Sequence, residues 1–298
     1  MTMPVAIITG ASKGLGRALA RALAVRGWDL VVDARSAGPL EETAAALRST
    51  GARVVALTGD VTDGRHQAAL VAAAGELGGL DLLVNNASAL GAEPLVRLAD
   101  HPLDGVRRAL EVNAMAPLGL IQQTLPLLRD SSYLPSYAEE TPSIGDIPHG
   151  GVGGKSGAYD AHPYSQNSDS SHLSDSHPYR GDTPRPHGVR GGAVLSLSSD
   201  AAVEAYPTWG GYGASKAALD QLSAVLAVEE PGLRVWWVDP GDMRTDLYAA
   251  AVPADDDSGR PLPETVVPAL LRLLDGAAPS GRYTAAELSA APNGVSDR

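Results

Sequence analysis

A chain of 298 residues with a formal net charge of −12 has room for one large domain or two small ones. Its acidity would repel a phosphate backbone, which argues against nucleic acid as a partner. The absence of cysteine excludes disulfides, thiolate catalysis and Cys-based zinc sites, and fits a cytoplasmic setting. No apolar run approaches the ~20 residues that span a bilayer, no basic amphipathic helix suits a membrane surface, and no signal-like segment precedes Val5.

Hydrophobic residues make up 44% of the chain but aromatics only 4%, with no Phe, so the core must be built from Ala, Val and Leu. Strands alternating with Ala-rich helices use such residues well. In chain order, residues 4–9 read as a buried strand and 15–26 as a helix with Leu15, Leu19, Ala22 and Leu23 on one face. Strands follow at 30–34 and 54–58, helices at 40–49 and 63–76, and a fourth strand from Asp81 to Val84. This βαβαβ rhythm needs crossovers and hence a parallel sheet. A long helix is expected over 104–128.

The composition then changes. Residues 130–190 are rich in Ser, Gly, Pro, Asp and His, carry 8 Asp/Glu against 4 Lys/Arg, and show neither helical nor strand period. Too little apolar surface is present to offset the entropy of ordering, so a loose loop is expected. The α/β pattern resumes as a strand at 193–198, a helix at 211–228, a strand at 233–238, a helix at 263–274 and a short strand at 281–284. The reading is one doubly wound α/β domain of Rossmann type, formed by 1–129 and 191–298, interrupted by an insertion at 130–190.

Two motifs carry chemistry. Thr9-Gly10-Ala11-Ser12-Lys13-Gly14-Leu15-Gly16 lies between the first strand and first helix, where glycines let the backbone approach a pyrophosphate that the helix N-terminus stabilises. Tyr212-Gly213-Ala214-Ser215-Lys216 opens a later helix and sets Tyr and Lys one turn apart on one face. A nearby ammonium favours the phenolate, which suits the Tyr to proton exchange with an alcohol or carbonyl oxygen.

Together these motifs resemble the short-chain dehydrogenase/reductase family. Further matches follow in order: Asp60-Val61 after the third strand, Asn85-Asn86-Ala87 after the fourth, Asn113, Ser198-Ser199 after the fifth, Pro240-Gly241 after the sixth, and Thr245. Ser199 is chosen over Ser198 because it lies 13 residues before Tyr212, the family's usual interval. Ser88 stands where the family usually has Gly. The resemblance implies hydride transfer between a nicotinamide cofactor and a small carbonyl or alcohol substrate. Tyr212 is then the acid or base, Lys216 lowers its pKa and holds the ribose, and Ser199 binds the substrate oxygen. Asn113 supports a proton-relaying water, and Thr245 helps to fix the carboxamide. Gly10, Ser12, Lys13, Gly14, Leu15, Gly16, Asp60, Val61, Asn86, Ala87, Pro240 and Gly241 complete the implied cofactor contacts.

For the choice of cofactor, Asp33 lies 23 residues after Gly10, where the general fingerprint places an acid that binds a ribose hydroxyl and selects NAD(H). The family's discriminating acid sits one place later, at Ala34, while Lys13 and Arg35 occupy positions where NADP-preferring members carry basic residues. Two cations suit a 2′-phosphate, so NADP(H) is expected.

Other features are weaker. Five histidines (His149, His162, His172, His177, His187) lie in the insertion at spacings of 13, 10, 5 and 10, which match no compact zinc pattern, so no metal is expected. Asp255-Asp256-Asp257 reads as the solvated part of a mobile cover over the substrate, roughly 246–262. Tyr206 and Trp209 either line the pocket or pack under its loop, and Trp236 and Trp237 read as core. The insertion should emerge on the sheet edge opposite the chemistry. The family also implies a homodimer or homotetramer, packed through the helices beginning near Asp104 and Gly211. The alternatives are a non-catalytic dinucleotide-binding regulator on the same fold, or an interaction protein acting through 130–190.

Overall fold

The computed structural model describes residues 3–132, 191–276 and 278–290. These form a parallel sheet of seven strands: β1 (Val5–Ile8), β2 (Asp29–Ala34), β3 (Val54–Thr58), β4 (Leu82–Asn85), β5 (Ala193–Leu197), β6 (Arg234–Asp239) and β7 (Gly281–Thr284). Their order is β3-β2-β1-β4-β5-β6-β7, with Ile7 opposite Val31 on one side and Leu83 on the other. The order reverses between β1 and β4. In such sheets ligands bind at that switch point, outside the carboxyl ends of the strands.

Strand alternation sends successive residues to opposite faces. Ala6, Ile8, Leu30, Val32, Val84 and Trp236 pack on one face against α1 (Gly14–Val25), α2 (Ala37–Arg48), α8 (Pro263–Asp275) and α9 (Ala285–Ala290). Val5, Ile7, Val31, Leu83, Val235 and Trp237 pack on the other, against α3 (Gly64–Leu77), α5 (Ala116–Asp130) and α6 (Gly210–Glu229). Each fully buried Val, Leu or Ile contributes about 1.5–3 kcal/mol, so β1 and β2, buried at every position, anchor the sheet. Trp236 and Trp237 are core, as expected, and the Trp236 indole donates to the carbonyls of Ala278 and Pro279.

The long helix expected over 104–128 runs from Leu103 to Asp130 as α4 (Leu103–Leu110), a π-helical turn (Glu111–Met115) and α5. Pro117 has no N–H for the Asn113 carbonyl, so the regular ladder cannot continue there and the wider turn takes up the slip. Asn113 lies in that turn.

Only the first residues of the segment 130–190 fall among those described; the insertion's histidines lie outside them. On its flanks, Ser131 donates to Asp81 at 2.6 Å, the Gly192 N–H to Leu128 at 2.8 Å and the Ala193 N–H to Asp81 at 2.8 Å. The chain therefore leaves and re-enters at the amino ends of β4 and β5, opposite the ligand-binding edge.

Two short elements were not legible as helices: α9 and α7 (Asp246–Ala251), six residues each. Six residues are too few for a helical period to stand out.

Candidate active site

The glycine-rich turn joins β1 to α1. Gly10 and Gly14 adopt φ of +67° and +57°, the left-handed region that favours glycine. Gly16 is required by close approach: a Cβ there would meet the Asn86 amide and stand 2.7 Å from the Gly10 carbonyl. Asn86 and Ala87, at the end of β4, form the wall behind the turn. The Asn86 amide donates to the carbonyls of Thr9 (2.8 Å) and Gly10 (3.1 Å), and the backbone N–H groups of Asn86 and Ala87 both donate to the Thr9 hydroxyl at 3.0 Å. Asn86 thus shapes the turn.

Asp60-Val61 follow β3. The Asp60 carboxylate accepts from Thr62 and, at 2.7 Å, from Arg108 on α4. Burial works against the charge, but these bonds and the guanidinium hold the carboxyl at about 2. Val61 packs with Val112 and Ala116, which ties this loop to the helix that carries Asn113.

Arg35 is exposed at the end of β2. Lys13 is exposed too, its ammonium 2.7 Å from Asp246 at the start of α7. Thr245 caps α7, its hydroxyl accepting from the Tyr248 N–H at 3.2 Å. Its methyl would be 3.8 Å from a Cβ on Gly14, which brings the loop after β6 against the glycine-rich turn. In that loop Gly241 has φ +74° and donates to Asp239 at 2.9 Å.

Ser199, Tyr212, Lys216 and Asn113 come together beyond the end of β5. Tyr212 and Lys216 are buried on the first turns of α6, with the ammonium 5.6 Å from the Tyr ring centroid. Lys216 donates to the Leu197 carbonyl at 2.6 Å. Burial draws its pKa down to about 8, opposed by Asp220. The Tyr212 phenol is pushed up to about 12, mainly by burial and further by Asp239 and Asp200, against the polar influence of Ser88 and Ser199. The phenol is thus raised rather than lowered, which differs from the sequence expectation, and the Lys216 ammonium is bonded to Leu197. Ser199 donates to its neighbour Asp200 at 3.0 Å. Asn113, fully buried, accepts from the Ala89 N–H (2.8 Å) and the Ser88 hydroxyl (3.2 Å) and donates to Ser215 (2.8 Å), whose hydroxyl donates to the Tyr212 carbonyl. Ser88 is accommodated as a link between the end of β4 and Asn113.

Ser198, Ser199, Tyr212, Trp209, Pro240 and Thr245 share a cleft of about 80 Å³ with Asp200, Asp239, Leu247 and Tyr248. Trp209 lies edge-on to Tyr212, ring centroids 5.6 Å apart. Tyr206 instead borders a neighbouring groove of about 460 Å³ with Leu98 and Pro207. Of residues 246–262, Leu247 and Tyr248 border the cleft; Asp255 is exposed, as read, but also accepts from the Tyr248 phenol (2.7 Å) and pairs with Arg260 (2.8 Å), while Asp256 caps a turn through Ser258. Asp200, Asp239, Tyr248 and Arg260 belong to the site's surroundings and escaped the motif reading. Their bonds, to Ser199, Gly241 and Asp255, follow no recurring spacing, so no short motif records them.

The geometry is that of a dinucleotide fold whose carboxyl-end groove carries a Ser–Tyr–Lys–Asn set. The profile of the short chain dehydrogenase family matches residues 4–133 and 186–256, and the chain belongs to that family. It is 28% identical over 254 residues to the glycine betaine reductase of Emericella nidulans, an alignment covering 84% of this chain and 15% of that protein. It is also 36% identical over 118 residues to an L-rhamnose 1-dehydrogenase (NAD(P)(+)) of a Sphingomonas species, covering 39% and 45% of the two chains. The chain thus spans less than half the length of these curated relatives. Among solved structures, an alcohol dehydrogenase from Thermococcus sibiricus complexed with 5-hydroxy-NADP superposes with TM-score 0.68 at 22% identity, covering 95% of each chain. A short chain dehydrogenase from Salmonella enterica serovar Typhi superposes with TM-score 0.71 at 22% identity over 95% and 96%. At these identities the superpositions establish the fold alone. Among the described residues no helix is long and apolar enough to cross a membrane.

Proposed function

We propose that this chain is an NADP(H)-dependent oxidoreductase that moves a hydride between the cofactor and the carbon of a small carbonyl or secondary alcohol. The convergence of Ser199, Tyr212, Lys216 and Asn113 beside the loop that meets the glycine-rich turn carries this reading. The turn fits a dinucleotide: Gly10 and Gly14 take positive φ, and Gly10 and Gly16 pack against Asn86 and Ala87 with no room for a Cβ, which makes the tight glycine turn before a helix N-terminus where a pyrophosphate binds. Gly10, Ser12, Lys13, Gly14, Leu15 and Gly16 would hold the phosphates, Asp60, Val61, Asn86 and Ala87 the adenosine side, and Pro240, Gly241 and Thr245 the nicotinamide side. The bound cofactor supplies the hydride; the chain supplies position and a proton.

Tyr212 gives its phenolic proton to the substrate oxygen in reduction and takes one back in oxidation. Ser199 donates to that oxygen as charge develops, exchanging its bond to Asp200 for one to substrate. Lys216, turned from Leu197 toward the ribose, lowers the phenol's pKa by its charge. The named activities of the relatives, one a reductase and one a dehydrogenase, support the reaction class. Lys13 and Arg35 support NADP(H) over NAD(H), with Ala34 in place of a ribose-binding acid. Exposed Leu103, Met115, Val225 and Val228 on the helices from 103 to 130 and 210 to 229 support a homodimer or homotetramer packed there. The lack of cysteine supports a cytoplasmic setting.

The test is parallel titration with NADPH and NADH, followed by a screen of carbonyl substrates. Tight binding of NADPH, weaker binding of NADH, and Arg35→Asp that weakens NADPH far more than NADH are the expected results. Equal losses for both nucleotides would remove the NADP assignment, and binding of neither would remove the enzyme reading.

A further inference from the structure

We propose that Asp33 and His66 form a positioning pair that holds the glycine-rich turn in shape, so that Asp33 sets affinity for either dinucleotide and takes no part in choosing between them. This rests on the cofactor reading above. By its distance from Gly10 the residue stands where an acid would read a ribose hydroxyl. Its surroundings give it other work. The residue is 2% exposed. One carboxylate oxygen accepts the Gly10 N–H at 2.7 Å, and the other lies 2.9 Å from the His66 Nε2. The Asp33 backbone carbonyl accepts the Ala11 N–H at 2.8 Å. Both carboxylate oxygens are therefore engaged inside the protein. A buried carboxylate is tolerated only when so paired.

His66 extends the brace. It sits on α3, its side chain 9% exposed, and its ring lies so close to Gly59 that a Cβ there would be 2.6 Å from ring carbons. The Gly59 N–H donates to the Ala34 carbonyl at 3.1 Å, and Gly59 immediately precedes Asp60-Val61. One buried carboxylate thus joins the phosphate-side turn to the loop after β3. Gly10, held at φ +67°, is the residue whose N–H the carboxylate pins.

The experiment titrates the full chain and its Asp33→Ala, Asp33→Asn and His66→Gln variants with NADPH and NADH. Circular dichroism tracks folding, and hydrogen exchange is read at the Gly10 amide. Asp33→Ala is expected to weaken both nucleotides by a common factor on the order of tenfold, the loss of a charged hydrogen bond, and to speed Gly10 exchange while Leu19 exchange stays slow. Asp33→Asn, which keeps an acceptor for Gly10, retains most of the affinity and remains informative if the alanine variant fails to fold. His66→Gln falls between. A variant that loses NADH binding while keeping NADPH binding overturns the proposal, because the acid would then be reading the ribose. So do folded variants with unchanged affinities and unchanged Gly10 exchange. A wild-type chain that binds neither nucleotide fails the cofactor reading instead, and the amide exchange still decides whether the brace exists.

Discussion

On the phosphate side of the groove, Gly10 and Gly16 come against Asn86 and Ala87 with no room for a side-chain carbon. On the catalytic side, Tyr212 and Lys216 are buried titratable groups, and Tyr212 lines a cleft bordered by Asp200 and Asp239. The first wall is shaped by backbone and sterics, the second by charge and burial. They should therefore fail differently: the first by losing shape and cofactor together, the second by losing or shifting chemistry while the fold stands.

Gly16→Ala tests the first wall and should have the largest effect. The added carbon meets the Asn86 amide and the Gly10 carbonyl, neither free to move without disturbing the turn. Overpacking of this kind costs about 1–3 kcal/mol, against the gain of about 1 kcal/mol that alanine brings to a helix. The expected result is a lower Tm and loss of nucleotide binding; a variant with wild-type Tm and affinity would show that the wall yields.

Lys216→Met tests the second wall and should act in the opposite direction on stability. Burial holds the Lys216 pKa at about 8, below its ordinary 10.5, so the folded chain carries a disfavoured charge at all pH below about 8. Stability from this group rises as pH climbs from about 8 toward 10.5, because the unfolded chain binds more protons there. The burial cost at pH 7 is about 3 kcal/mol, less about 1 kcal/mol for the lost bond to Leu197. The methionine variant should therefore be the more stable at pH 7, lose that advantage above pH 8, and turn over no substrate. Thermal unfolding at a series of pH values checks it, and a destabilised variant at pH 7 would refute it.

The same contrast explains what was legible in the sequence. The strands, the glycine-rich turn and the order of the motifs are local patterns, and the sheet, its topology and the gathering of Ser199, Tyr212, Lys216 and Asn113 follow from them. The engagement of Asp33 with Gly10 and His66, of Asp60 with Arg108 and of Asn113 with Ser215 spans 23 to 102 residues and leaves no period or spacing to read. Asp255 is exposed, as read, but its pairing with Arg260 and Tyr248 was not legible for the same reason: it depends on how the segment after β6 folds back. The π-helical turn at Asn113 did have a signal, Pro117 inside an otherwise continuous helical pattern.

The smallest expected effect comes from Asp200→Asn, which leaves size and backbone unchanged and removes one charge from the catalytic wall. Asp200 and Asp239 both raise the Tyr212 pKa, on top of the larger effect of burial. Removing one of them should lower the pH at which the phenol ionises. In the proposed reaction the pH profile for alcohol oxidation would then shift toward lower pH, with a few-fold gain near neutrality. The exposed Tyr206 is raised by Asp200 as well, so the phenolate absorbance is read in a Tyr206→Phe background as the difference with and without Asp200→Asn, which cancels the tyrosines that Asp200 does not influence. The substitution also weakens the acceptor for the Ser199 hydroxyl, which frees that hydroxyl for substrate and should lower KM in the same direction. An unchanged pH profile and an unchanged phenolate titration would mean that burial alone governs the tyrosine, and that the acidic border of the cleft has no hold on the chemistry.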